Sequence, residues 1–332
     1  MVKPRFREIP VQEAVGLVLP HDMTQIIPGK FKGRLFKKGH VITEADIEPL
    51  LSIGKEHIYI LDMPEGYLHE NEAAERIARS IVGEGLTLSE PHEGKVSLKA
   101  QYKGLVKINA EAVHACNELE SISIATILTN LVVEENKAVA VARITPLIIE
   151  TKRVEQLETM VAAYGQPIVE LLPFPAKRVG MITTGSEVFK GRIEDKFGPV
   201  IRSKVEALGS AVVEQRFTPD DKDVIKQEIE RFLNQSVDLV IVTGGMSVDP
   251  DDRTPGAISE VATEVVRYGI PMLPGSMMMI AYAGKTPILG LPGAVMYEPY
   301  TSFDVFLPRV LIGERITESD ITRLGYGGLN HC

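Results

Sequence analysis

Residues 238–256 read DLVIVTGGMSVDPDDRTPG and decide the fold class, because a strand, a glycine turn and an acidic loop follow one another without a gap. Leu239 to Val242 are four consecutive apolar residues, the signature of a strand covered on both faces. Thr243, Gly244 and Gly245 then let bare backbone amides come close to a bound group. Asp249, Asp251 and Asp252 follow at once, so an anion and a divalent cation shared with it can meet there. A turn carrying solvated aspartates is the plain alternative.

Outward from this stretch, strand and helix patterns alternate. Residues 177–185 (KRVGMITTG) and 210–217 (SAVVEQRF) read as strands, and 198–209 and 222–235 as helices. Residues 254–263 open a helix, 286–293 (TPILGLPG) add a strand, and 294–313 a further helix. Repeated βα units imply an α/β domain with a parallel, helix-covered sheet in three αβα layers, whose ligands sit at the carboxyl ends of the strands. Pro173 and Pro175 mark its start. The expected division is an α+β module at 1–93, a β-rich domain at 94–150, a linking helix within 151–175, the α/β domain at 176–320 and a tail at 321–332.

Local signals in the first half are specific. Thr43 and Asp46 form a capping pair ahead of a helix closed by Gly54, and 57–62 is a strand. Residues 69–83 place Ala73, Ile77 and Ile81 on one helix face, with Glu70 and Glu72 near its positive end. Short β runs at 96–100, 104–109, 122–127 and 138–149 surround one helical stretch at 110–119. His114 and Cys116, two apart on that helix, point to different sides and make no metal pair.

The 332 residues exceed one ordinary core, and 44% hydrophobic content supports packed domains. A formal charge of -9 and the lack of tryptophan oppose a nucleic-acid partner. No apolar run approaches the roughly 18 residues of a membrane span, and the charged start carries no signal core, so a cytoplasmic protein without membrane contact is expected. Two cysteines give no disulfide framework, and Cys332 beside His331 reads as a chain end.

Three strand-end loops carry small residues: Thr183 to Ser186, Thr243 to Ser247, and Gly290 to Gly293. Each can offer amides to an anion, although glycine turns punctuate any α/β fold. P-loop, dinucleotide, HExxH and G-x-S-x-G patterns are all missing. Among the acids, Asp221 reads as a helix cap and Asp220 as cap or site, while Glu187, Glu194 and Asp195 read as solvated. Thr254 reads as an N-cap before Pro255, and the Met277 to Met279 run as packing.

Taken in order, TTGSE, GRIED, TPDDKDVI, TGGMSVDPDDRTP and GLPGAV make residues 176–315 resemble the molybdopterin-binding domain shared by molybdopterin adenylyltransferases, molybdopterin molybdenumtransferases and the competence-damage-inducible proteins. Residues 11–62 also look like the start of a molybdenumtransferase. The resemblance implies that Thr184, Gly185, Ser186, Gly244, Gly245, Ser247, Pro292 and Gly293 hold the pterin and its phosphate, and that Asp252 and Asp220 are catalytic. It implies Mg²⁺ at Asp252, Asp220 and Asp195, ATP and molybdate as co-substrates, molybdopterin or its adenylate as ligand, a homo-oligomer, and other molybdenum cofactor proteins as partners. Ser186 replaces the acid of TGDE, Phe197 the expected asparagine, PGSMMM lacks the lysine of PGKP, and LPGAV replaces LPGNP. The small β domain that usually closes the molybdenumtransferase is expected to be missing. The expected function is molybdenum cofactor biosynthesis with transferase chemistry; a non-catalytic carrier of the pterin and a nucleotide pyrophosphatase are the alternatives.

Overall fold

A computed structural model describes residues 6–20, 22–27, 31–61, 63–247 and 253–329. The chain divides into two compact units, Met1–Leu171 and Leu172–Cys332. Among the described residues no helix is long and apolar enough to cross a membrane.

In the first unit, Phe6–Pro10 pairs antiparallel with His57–Leu61, and Met23–Ile27 with Phe31–Phe36. Ile9, Leu19, Ile42, Leu50 and Ile58 form a small core there. The capping box of Thr43 and Asp46 is present, and Gly54 at φ +77° closes the helix Ile47–Ser52. A larger core follows. The helix Glu70–Ile81 buries Ala73, Ile77 and Ile81 against a four-stranded sheet in the order Leu86–Leu88, Lys95–Ala100, Ala138–Ile144, Ile122–Thr126. The helix Thr151–Ala163 adds Val154, Leu157 and Val161 to the same core. Residues on both sides of position 94 therefore share one core. Cys116 is fully buried on the helix Ala110–Asn117, whereas His114 is exposed and pairs with Glu118.

The second unit is a doubly wound sheet. Its strands are β1 (Arg178–Thr184), β2 (Ala211–Thr218), β3 (Leu239–Thr243), β4 (Glu264–Tyr268), β5 (Met279–Ala283) and β6 (Thr286–Leu291). Their spatial order is β2-β1-β3-β6-β5-β4. β2, β1, β3 and β6 run parallel, while β5 and β4 continue the sheet antiparallel. Those last two strands fall outside the βα rhythm, because no helix separates β4 from β5 or β5 from β6. The helices are α1 (Phe197–Glu206), α2 (Lys222–Asn234), α3 (Thr254–Val261), α4 (Ser302–Leu311) and α5 (Glu318–Arg323).

Alternate strand residues separate the two faces. Ile182, Val240, Val242 and Ile288 pack with Ile225, Ile229 and Phe232 of α2 and Ile258 of α3. Gly180 lets the Phe232 ring lie directly on β1, since a methyl there would come within 2.6 Å of the ring. Burying such a ring contributes about 2–3 kcal/mol. The other face is covered by α1 and α4, joined by Lys204 and Asp304 at 2.5 Å. The helix expected over 294–313 is two elements. A 3₁₀ turn, Gly293–Met296, comes first, and α4 begins only after Pro299, where Thr301 and Asp304 form a capping box.

Candidate functional site

The strand order reverses between β1 and β3, because β1 leads to β2 on one side and β2 crosses back to β3 on the other. Ligands of such sheets bind in the crevice at that point. The carboxyl ends of β1, β3 and β6 lie side by side there.

At the end of β1, Thr183 and Thr184 are buried and point to opposite faces. The Thr183 hydroxyl accepts from Gln215 Nε2 at 3.0 Å. The Thr184 hydroxyl is 3.5 Å from that of Thr254. Gly185 (φ +142°) follows, and Ser186 opens a one-turn helix, Ser186–Phe189, with its amide donating to Asp220 Oδ2 at 2.9 Å.

The end of β3 turns sharply over β1. Gly244 (φ +87°) and Gly245 (φ +53°) are left-handed, and a methyl on Gly244 would overlap the carbonyl oxygen of Thr184. Only glycine fits both demands. The turn is braced from two sides. The Thr254 hydroxyl donates to the Gly244 carbonyl at 2.7 Å, and the Tyr268 hydroxyl donates to the carbonyl of Met246 at 2.7 Å and lies 3.3 Å from that of Ser247. Thr254 is therefore no N-cap: Arg253 occupies that position, without a side-chain cap, and the threonine hydroxyl serves the neighbouring turn. Amides of Gly245 and Gly293 meet no acceptor among the described residues.

Two adjoining cavities result. One, of about 490 Å³, is lined by Gly244, Gly245, Ser247, Pro292 and Gly293 together with the 273–277 segment. The other, of about 380 Å³, is lined by Thr184, Gly185, Asp195, Ile193 and Tyr297. Phe197 lines both. Seven of the eight residues expected to bind the pterin thus line one cavity or the other, whereas the Ser186 side chain lines neither.

The acids have separate tasks. Asp195 accepts from the amides of Phe197 and Gly198 at 2.9 and 3.1 Å, and from Gln215 Nε2 at 2.5 Å, so it anchors the start of α1 instead of standing solvated. Asp220 fixes the Ser186 amide, and Asp221 caps α2 by accepting from Asp223 and Val224. Glu187 and Glu194 are exposed. Asp249, Asp251 and Asp252 lie outside the described residues. Among the described residues no three His, Cys, Asp or Glu side chains gather as a metal site. The sequence reading missed Phe197 as a wall, Leu273 to Met277 as a lining segment, and Tyr268 as a latch. No motif marked them: Phe197 is set by the start of α1, and Tyr268 and the 273–277 segment by β4 and the connection to β5.

Fold and crevice together define a doubly wound α/β domain whose strand-end turns line two adjoining cavities. Comparison with known proteins makes the class specific. Residues 180–311 match the family described as "Probable molybdopterin binding domain", and residues 8–62 match a "Domain of unknown function (DUF8806)". Molybdopterin molybdenumtransferase of Staphylococcus aureus is 33% identical over 159 residues, which is 45% of this chain and 36% of that protein. The corresponding protein of Staphylococcus epidermidis is 27% identical over 155 residues, with the same two shares. The chain thus spans about a third of the length of the curated relatives it matches. Among solved structures, the molybdopterin biosynthesis enzyme MoaB of Thermus thermophilus is 25% identical, covers 42% of this chain and 98% of its own, and superposes with a TM-score of 0.36.

Proposed function

We propose that the second unit binds molybdopterin or its adenylate and that the protein serves molybdenum cofactor biosynthesis. The observation that carries the reading is the convergence of three glycine-bearing strand ends on two adjoining cavities, within residues matching a molybdopterin-binding domain. In this reading the amides of Gly245 and Gly293 take the pterin phosphate, and Ser247 adds a hydroxyl beside them. Phe197 offers a flat apolar surface for the ring system.

The chemistry that follows is of the transferase type, either adenylyl transfer or cleavage of the adenylate coupled to molybdate insertion. Mg²⁺, ATP and molybdate are its co-reactants, and Asp252 with Asp220 its acids. Asp220 and Asp195 already hold amides, so a metal would be held by Asp252 and its neighbours, where it would offset charge on the reacting phosphates. The same reading carries a cytoplasmic homo-oligomer, which light scattering of the purified protein reads out.

The engagement of Asp195 and Asp220 as backbone anchors favours one alternative, a non-catalytic pterin carrier. Incubation with ATP, Mg²⁺, molybdate and molybdopterin separates the two. Release of AMP or pyrophosphate together with adenylated pterin or molybdenum cofactor supports the transferase, and tight pterin binding without any product supports the carrier. Failure to bind the pterin overturns both.

A further inference from the structure

A cavity of about 270 Å³ belongs wholly to the first unit, and its lining is dominated by cationic side chains. It forms between the turn after Phe31–Phe36, the start of the helix Glu70–Ile81, the turn at 92–95 and the strand Ala138–Ile144. Two of its cations are engaged: Arg34 pairs with Asp22 at 3.0 Å and Lys37 with Glu93. Lys38, Lys95 and Arg143 form no ion pair among the described residues, and their charge is left facing the cavity.

Glu70 lies at the bottom of this arrangement. It is 8% exposed, and its carboxyl has no hydrogen-bond partner among the described residues. Two turn glycines close around it. A methyl on Gly39 (φ +84°) would strike Oε1, and one on Gly94 (φ +68°) would come within 2.7 Å of Oε2. The backbone is thus shaped to admit a carboxyl group that the protein itself does not complete. The carboxyl opens onto the cavity, where solvent or a bound molecule supplies the bonds the protein does not.

We propose that this cavity is a binding site for a dianionic tetrahedral oxyanion, held by Lys38, Lys95 and Arg143 and touching the Glu70 carboxyl. Three uncompensated cations outweigh one carboxyl, and the surplus suits a dianion. Burial pushes the Glu70 carboxyl up from the usual carboxylate range, opposed by Lys38 and Arg143 and assisted by Glu93. In its acid form Glu70 donates an O–H to an anion oxygen; in its ionised form it repels the anion. Affinity therefore falls as pH rises through the Glu70 titration. His69, the neighbouring cap of the same helix, directs its ring to the Gly39 carbonyl and its other nitrogen to the Asn71 amide, so it faces the backbone. This inference does not depend on the reading of the second unit.

The test uses the full chain and sulfate, which stays a dianion across the pH range. Calorimetric titration of wild type over a pH series from about 4 upward is expected to give one saturable site, tighter at the acid end. Arg143→Gln and Lys38→Met are each expected to weaken it at least about tenfold, the usual loss of a charge-assisted bond. Glu70→Gln keeps an N–H donor and is expected to bind with little pH dependence. Inorganic phosphate binding while glycerol 2-phosphate fails identifies a free anion; both binding identifies a phosphate monoester. A sulfate isotherm kept by both Arg143→Gln and Lys38→Met, no saturable isotherm in wild type, or an unchanged pH slope in Glu70→Gln overturns the proposal.

Discussion

Replacing Gly244 with alanine tests the turn on which the crevice depends. At φ +87° an alanine carries the strain of the left-handed region, about 1–2 kcal/mol. Its methyl would also overlap the Thr184 carbonyl, so the turn after β3 must shift away from β1. Gly209 supplies the control: it has φ +74° in the same unit, and nothing lies within 4 Å of a methyl placed there. Gly209→Ala should show the backbone cost alone. Gly244→Ala should show that cost and the overlap, about 2–4 kcal/mol together. For a unit of this size each kcal/mol moves Tm by about 2–4 °C, so calorimetry resolves the two variants. Molybdopterin binding should fall at least about tenfold in Gly244→Ala and remain unchanged in Gly209→Ala, because only the first displaces amides that line the cavity. Equal Tm shifts and equal pterin affinity in the two variants would refute the argument that Gly244 is required by close approach.

Other outcomes follow from single contacts. Tyr268→Phe removes the hydroxyl that latches the Met246 and Ser247 carbonyls, and should cost about 0.5–1.5 kcal/mol while weakening pterin binding; unchanged binding would show the latch to be idle. His69 is held below its ordinary pKa of 6.5, first by burial, against a raising contact from the Gly39 carbonyl. Above that pH both folded and unfolded forms are neutral; as pH falls through it the unfolded chain takes the proton first, so stability is lost in acid. The stability advantage of wild type over His69→Asn should therefore shrink between pH 7.5 and 5 in urea titrations, and an advantage that grows would contradict the assignment. Burial raises the Cys116 thiol, and in a Cys332→Ser variant Cys116 should react with a thiol reagent only on unfolding; reaction in the folded protein would place it at the surface.

The α/β character of the second unit was legible because its parallel strands are continuous apolar runs ended by glycine. Ile241 and Val242 are buried on opposite faces, and such strands need no alternation. The candidate site was legible for the same reason: the first residues past each parallel strand are carried to one edge by the sheet itself. Acid roles were harder to read. Asp195 looked solvated because its partners, Gln215 and the amides of α1, come from β2 and from a helix start that no local signal joins. Thr254 looked like a cap because sequence spacing cannot show that Gly244 is nearer to its hydroxyl than the helix amides are. In the first unit Glu70 was legible only as an acid at a helix start, because its burial depends on two glycine turns, at 39 and 94, far apart in sequence.

The account is tested most directly by hydrogen–deuterium exchange of the full chain with and without saturating molybdopterin under anaerobic conditions. Slower exchange is expected at 183–186, 244–247 and 291–297, the three strand ends together. Protection confined to residues 1–171, or none at these turns despite bound pterin, would contradict the claim that they form the binding site.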